Sequence, residues 1–194
     1  MNSFNFKPPA RPEAQWFPVG LTSSFPELDD GLGSVAEPRM CNAELKPGCK
    51  VFHVPQTDPS QGVEIPVEPD SAPADSDSDE FSEARMDLKD QVLVFQYRGK
   101  FHAIDHQCPH SSFPLSRGMP FDIEDFGIVL SAGITCPKHG WSFDVFSGMG
   151  DRGSYKLKVW EVQLRDVVDT EEKARPDAEA IVKEVWVRRK QRIG

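Results

Sequence analysis

Two short segments of this 194-residue chain each carry one cysteine and one histidine at a spacing that suits metal binding. The first is CPH at residues 108–110, and the second is CPKH at residues 136–139. Thiolate sulfur and imidazole nitrogen are ligands that iron–sulfur and zinc centres share. Each segment follows an apolar strand pattern, so two loop tips are expected to converge. We therefore predict one metal centre whose ligands are Cys108, His110, Cys136 and His139.

Two kinds of centre use this set of ligands. In one kind of [2Fe-2S] cluster, two histidines replace two cysteines on one iron. A closed structural zinc site also accepts two cysteines and two histidines. The sequence lacks the helix-borne histidine pair of a C2H2 zinc finger, which favours the iron–sulfur cluster. A zinc site stays open as the alternative. Visible colour would separate the two, because zinc does not absorb visible light whereas an iron–sulfur cluster does.

The residues around both segments resemble a known family. The run VLVFQYRGKFHAIDHQCPHSSFPLSRG, followed by ITCPKHGWSFDVFSG, is similar to Rieske ferredoxins and to the Rieske domains of aromatic-ring oxygenases. The resemblance covers roughly residues 88–164. It implies one Rieske-type [2Fe-2S] cluster, with Cys108 and Cys136 on a buried iron. It also implies that His110 and His139 bind the outer iron through Nδ1.

Two segments depart from the family pattern. The gap between the ligand pairs is long, so we expect residues 119–125 to be an inserted surface loop. Residues 148–155 contain no proline, although family members often cover the cluster with a proline-containing segment there.

Short strands separated by turn signals predict the fold class. The hairpin QVLVFQY-RGK-FHAI at residues 91–104 is the clearest of them. Further strands are predicted at residues 49–54, 126–130, 143–146, 157–162 and 181–187. We therefore expect an all-β fold, a Rieske-type antiparallel β sandwich or barrel with the two cluster-binding loops in a small subdomain.

The charge is concentrated in one stretch of the chain. The sequence has 31 acidic and 22 basic residues, a net charge of −9. Residues 56–84 hold nine of the acids, no Lys or Arg, and four prolines, which predicts a disordered-looking, solvated insertion. We expect an N-terminal extension at 1–37 and a single Rieske domain at 38–194, interrupted by this insertion.

The composition also limits the expected cellular location of the protein and the classes of partner that it could bind. A net charge of −9 argues against nucleic acid or an anionic membrane as the main partner. No apolar run approaches the roughly 18 residues that span a bilayer, and no apolar signal peptide is visible. We expect a cytoplasmic protein. Cys41 and Cys49 lie far from the motif, so they are expected to be buried or free thiols.

These observations lead to an expected function. The chain has five histidines and none after His139, so it lacks ligands for the second iron of an oxygenase catalytic domain. We expect a monomeric one-electron carrier between a reductase and an acceptor such as an oxygenase, with no catalytic substrate site. Partner docking is expected on the surface around His110 and His139, including Phe113, Leu115 and Trp141, and part of that apolar set is expected to lie in the core. His102 and His106, which flank a strand end, are expected to be structural or surface residues. A redox or iron sensor is the alternative, with a structural zinc module less favoured.

Overall fold

The fold is described from a computed structural model, which covers residues 15–29, 33–56, 60–67, 88–167 and 182–190. The regular elements in these ranges are strands and short 3-10 turns. The strands are β1 (Phe17–Leu21), β2 (Glu27–Leu28), β3 (Pro38–Cys41), β4 (Glu44–Pro47), β5 (Cys49–His53), β6 (Val63–Ile65), β7 (Gln91–Tyr97), β8 (Lys100–Asp105), β9 (Met119–Asp125), β10 (Ile128–Cys136), β11 (Trp141–Asp144), β12 (Trp160–Asp166) and β13 (Lys183–Arg189). The 3-10 turns are Thr22–Ser24, Leu88–Asp90 and Leu115–Arg117. The prediction of an all-β fold is confirmed.

The strands form four sheets. A five-stranded sheet has the order β2-β7-β5-β6, with β8 also paired to β7. Two three-stranded sheets have the orders β1-β13-β12 and β11-β10-β9, and β3 and β4 form a separate hairpin. All of these pairs are antiparallel except β2 with β7.

Strand β7 lies between two hydrophobic cores. Its side chains alternate between the faces of the sheet, as the strand period of two requires. Leu93, Phe95 and Tyr97 join the core beneath the two Cys-His loops. Val92 and Val94 face the other core, which the β1-β13-β12 sheet covers. The loops therefore rest on a sheet that is buried on both faces, and this gives them a rigid base.

The hairpin β7–β8 was predicted correctly. Its turn residues Arg98 and Gly99 have φ of 51° and 71°, the left-handed pair of a two-residue hairpin turn.

The expectation of a surface loop at residues 119–125 is wrong, because these residues form β9 and pair with β10. The strand is stabilised where Phe121 lies opposite Gly133. A Cβ on Gly133 would lie 2.3 Å from the Phe121 ring, so the aromatic side chain fills the space over the glycine.

Two other stretches differ from their expected organisation. Val63–Ile65, inside the predicted acidic loop, pairs with β5, whereas residues 57–59 and 68–87 lie outside the described residues. Part of the stretch expected as an N-terminal extension is built into the fold, since β1 pairs with β13. Within the described ranges, no helix has the length and apolar character needed to cross a bilayer.

Candidate metal centre

The first Cys-His loop is a tight turn between β8 and the 3-10 turn at Leu115–Arg117. The backbone N–H of Cys108 donates to the carbonyl of Phe113 at 2.9 Å, and the N–H of Ser112 donates to the carbonyl of Cys108 at 2.9 Å. Ser112 has φ of 53°, an uncommon value for a residue with a side chain. These bonds close the loop and bring Cys108 and His110 to the same end of the molecule.

The second loop repeats this geometry at the turn between β10 and β11. Cys136 pairs with Trp141 across the hairpin, and the N–H of Gly140 donates to the carbonyl of Cys136 at 3.0 Å. Gly140 has φ of 65°, so it occupies the place that Ser112 takes in the first loop. A Cβ at Gly140 would meet no protein atom within 4 Å. The left-handed backbone, rather than crowding by the protein, is therefore what favours glycine here.

The two cysteines are buried and in contact. Each is only 1% exposed, and their thiols hydrogen-bond to each other. The hydroxyl of Ser111 lies 3.8 Å from the Cys136 sulfur. Because of the bond to Cys136, the pKa of Cys108 is lowered, although burial opposes this shift and N–H groups of the loop add to it. The same bond raises the pKa of Cys136, and burial adds to that shift.

The two histidines lie together on the outer side of the cysteines. Their ring centroids are 5.1 Å apart, and His139 is exposed. The Nδ1 atom of His110 is buried and has no hydrogen-bond partner in the protein. A buried nitrogen without a partner is costly, and binding to a metal would satisfy it. This observation fits a metal centre with an imidazole ligand.

The four residues form two pairs rather than one ring of donors. Among the described residues, no group of three or more His, Cys, Asp or Glu side chains converges on a point where one ion would sit. A thiol pair inside and an imidazole pair outside instead match the donor set of a two-iron cluster with mixed ligands. The residues present therefore fit the [2Fe-2S] group.

The segment at 148–155, which has no proline, contacts the centre through other side chains. Tyr155 meets the rings of His110 and Trp141 edge-on, with centroid distances of 5.3 and 5.1 Å. The Arg152 guanidinium lies 5.2 Å from the Trp141 ring centroid and donates to the carbonyl of Gly140. Sequence reasoning missed these two residues, because their partners lie in separate loops.

His106 supports the first Cys-His loop through hydrogen bonds made by both of its ring nitrogens. Its Nδ1 lies 2.7 Å from Oε1 of Gln91, and its Nε2 lies 2.9 Å from the hydroxyl of Ser116. Burial lowers the pKa of His106 to about 4, so the ring is neutral. Since Oε1 only accepts, Nδ1 donates to it, and Nε2 accepts from Ser116. The structural role expected for His106 agrees with this arrangement.

Residues outside the centre divide between core and surface. Phe113 and Leu115 are 2% and 0% exposed, so they belong to the core, whereas Trp141 is partly exposed. Cys49 is buried, and burial raises its pKa to about 12. Cys41 is half-buried, and its thiol donates to the carbonyl of Ser23 at 3.2 Å.

Comparison with known proteins agrees with this site. Residues 69–159 match the Rieske [2Fe-2S] domain family, and this region contains both Cys-His loops. The chain therefore carries a Rieske domain, a domain that holds a single Rieske-type [2Fe-2S] cluster.

Several curated proteins are similar over this region. The ferredoxin component of an alkene monooxygenase system from Xanthobacter autotrophicus is 33% identical over 76 residues, which are 37% of this chain and 56% of that protein. A Rieske domain-containing protein from Homo sapiens is 38% identical over 60 residues, 31% of this chain and 35% of that protein. Apoptosis-inducing factor 3 from Mus musculus is 39% identical over 59 residues, 30% of this chain and 8% of that protein. The chain thus spans about half or less of the length of these relatives.

Proposed function

We propose that the protein is a one-electron carrier that passes electrons from a reductase to an acceptor such as an oxygenase. In this proposal Cys108 and Cys136 bind the inner iron of the cluster, and His110 and His139 bind the outer iron. The observation that carries it is the pairing of two buried thiols beneath two imidazoles, one of which has a buried Nδ1 with no protein partner.

The chain contributes a rigid binding site for the cluster, and the inner side of this site is shielded from water. When bound, the cluster supplies a site that gains and loses one electron at a time. Cys108 and Cys136 lie in the main core, so water is excluded from the inner side. Loop N–H groups directed at the Cys108 sulfur stabilise its thiolate form. His139 is exposed, which leaves the outer side open to a partner.

The Xanthobacter relative supports the carrier function. That protein is the ferredoxin component of an alkene monooxygenase system. A carrier needs only a cluster and an exposed edge through which a partner can exchange electrons. We extend the proposal to a monomer in the cytoplasm; the reducing compartment is supported by four cysteines, none of which forms a disulfide.

The test is anaerobic purification with the native metal, followed by analysis of iron and acid-labile sulfide. We expect two irons and two sulfides per chain, and a reduced-state EPR spectrum of the Rieske type. Reduction by dithionite and reoxidation should be reversible over repeated cycles. Stoichiometric zinc without sulfide would overturn the proposal, and so would a cluster that is destroyed in a single redox cycle.

A further inference from the structure

Positive charge collects in the three segments that surround the candidate metal centre. Residues 108–118, 136–142 and 149–158 hold five basic side chains and one carboxylate. The basic residues are Arg117, Lys138, Arg152, Lys156 and Lys158, and the carboxylate is Asp151. The formal charge of these three segments is therefore positive, even when Asp105, which pairs with Lys158 at 3.3 Å, is counted with them, whereas the whole chain carries −9.

The contacts show how this charge is arranged around the ligands. Lys138 lies between the two predicted ligands of the second loop, and its Nζ is 5.9 Å from the ring centroid of Phe113. Arg152 lies over Trp141, where it also pairs with Asp151 at 3.1 Å. Lys156 is exposed and directly follows Tyr155, whose ring contacts His110. Positive side chains therefore flank the imidazole pair from both the second loop and the 148–155 segment.

Exposed apolar surface lies among these charges. Met149 is 61% exposed and forms an isolated β-bridge with Lys156. Tyr155 is 44% exposed and its ring touches His110. An apolar centre with a charged rim is the usual anatomy of a protein–protein interface.

We propose that these residues form a basic docking face for an acidic surface on a redox protein partner. The docking face is defined as Lys138, Met149, Arg152, Tyr155 and Lys156. The proposal rests on the carrier function proposed above and adds the chemistry of the partner. The imidazole edge lies within this face, so docking there would bring the partner to the exposed side of the metal centre.

The rate at which a partner associates depends mainly on charges close to the contact surface, because salt screens charges that are farther away. At physiological ionic strength the Debye length is about 8 Å, so a charge farther than this from the docking face contributes little once a partner is close. For an acidic partner at the docking face, the nearby charges of Lys138, Arg152 and Lys156 therefore supply the attraction. Complementary charge of this kind orients the encounter and raises its rate.

The experiment uses two small one-electron oxidants of opposite charge in place of the partner. The reduced holoprotein is mixed with hexacyanoferrate(III), an anion, or with tris(phenanthroline)cobalt(III), a cation. In each case the protein loses one electron and the oxidant gains one. The second-order rate is followed by stopped flow against ionic strength, in the native protein and in Lys138→Glu, Lys156→Glu and Lys183→Glu. Lys183 begins β13, away from the centre and paired with Asp166, so it is a control with the same change in net charge.

We expect the native rate with the anionic oxidant to fall as salt rises, the sign of attraction. At low salt, Lys138→Glu and Lys156→Glu should each lower that rate by about threefold to tenfold, and Lys183→Glu by less than about twofold. Lys156→Glu keeps the test decisive if Lys138→Glu disturbs the adjacent ligands. A native rate that rises with salt, as a net charge of −9 alone would give, overturns the docking face. Equal effects of all three substitutions overturn it too.

The two proposals fail in different ways. A protein that cannot be reduced and reoxidised reversibly overturns the carrier function, and the docking face with it. If the protein cycles reversibly but Lys138→Glu and Lys156→Glu leave the oxidation rate unchanged, the docking face alone is overturned.

Discussion

His110 and Trp141 stack on each other, with ring centroids 4.6 Å apart and planes 23° from parallel. His110 lies in the first Cys-His loop and Trp141 begins β11, directly after the second loop, so the stack joins the two loops beside the candidate metal centre. Arg152 also lies over the Trp141 ring, and Tyr155 meets both rings edge-on. One imidazole is thus held by packing while its Nδ1 is left for a metal.

Removing this stack should loosen the metal centre. Trp141→Leu is expected to speed cluster loss to a chelator by about tenfold or more, because groups that orient a ligand contribute strongly to metal affinity. Trp141→Phe, which keeps a flat ring, should lose the cluster more slowly than the Leu variant. The measurement is the decay of visible absorbance in the presence of chelator. Trp186→Leu, in β13, is the matched control, and an equal effect there would contradict a role for the stack.

The inner thiols should be indispensable for the cluster. We expect Cys108→Ser to abolish the visible spectrum and to release the iron, since the two loops are then no longer tied through one centre. Cys41→Ser should retain full iron and sulfide, because Cys41 lies in β3 and donates only to the carbonyl of Ser23. Metal and sulfide analysis of both proteins makes the comparison. An intact spectrum in Cys108→Ser would disprove the ligand assignment.

His102 should make the fold less stable in acid. It packs against Phe95 and Phe146, and burial, with a smaller effect of Lys100, lowers its pKa to about 4, although Asp144 opposes the shift. The unfolded chain binds a proton near the ordinary value of about 6.5, so the folded state loses stability as pH falls from about 6.5 towards 4.

The size of that loss should be on the order of 3 kcal/mol for this group, and stability above pH 7 should not depend on it. The check is the free energy of unfolding of the native protein and of His102→Gln at pH 7 and at pH 5. The native protein should lose more stability over this interval than the variant. Parallel pH dependences would show that His102 titrates alike in both states.

Two glycines that both have a positive φ should differ strongly in how well they tolerate substitution by alanine. Gly148 has φ of 75°, and a Cβ there would lie 2.0 Å from the carbonyl oxygen of Leu157. Gly99 has φ of 71° but meets nothing within 4 Å. Gly99→Ala should cost about 1 kcal/mol for the left-handed backbone alone.

Gly148→Ala should cost about 3 kcal/mol or more, because the Leu157 carbonyl must also move. It should also disturb the 148–155 segment that contacts His110 and Trp141. Chemical denaturation of both variants measures the difference. Equal losses of stability would show that the close approach at Gly148 relaxes at no cost.

Much of the fold could be predicted because its signals are local. The β7–β8 hairpin combines alternating apolar residues with Arg98-Gly99, so the strands and their turn are encoded within one short stretch. The β9 strand was not predicted, because its partner glycine at 133 stabilises it only after β10 is in place. The domain limits at 38 and 194 stay a prediction.

The sequence by itself determined that the elements around the two Cys-His segments are strands and led to the prediction of the four ligands, since hydrophobic alternation and ligand spacing act over a few residues. The tertiary structure decided which of those residues meet. It placed Cys108 against Cys136 inside and His110 against His139 outside, buried Phe113 and Leu115, and brought Arg152 and Tyr155 onto Trp141. These contacts join segments that are distant along the chain, so they follow from how the sheets pack and from no single stretch of sequence.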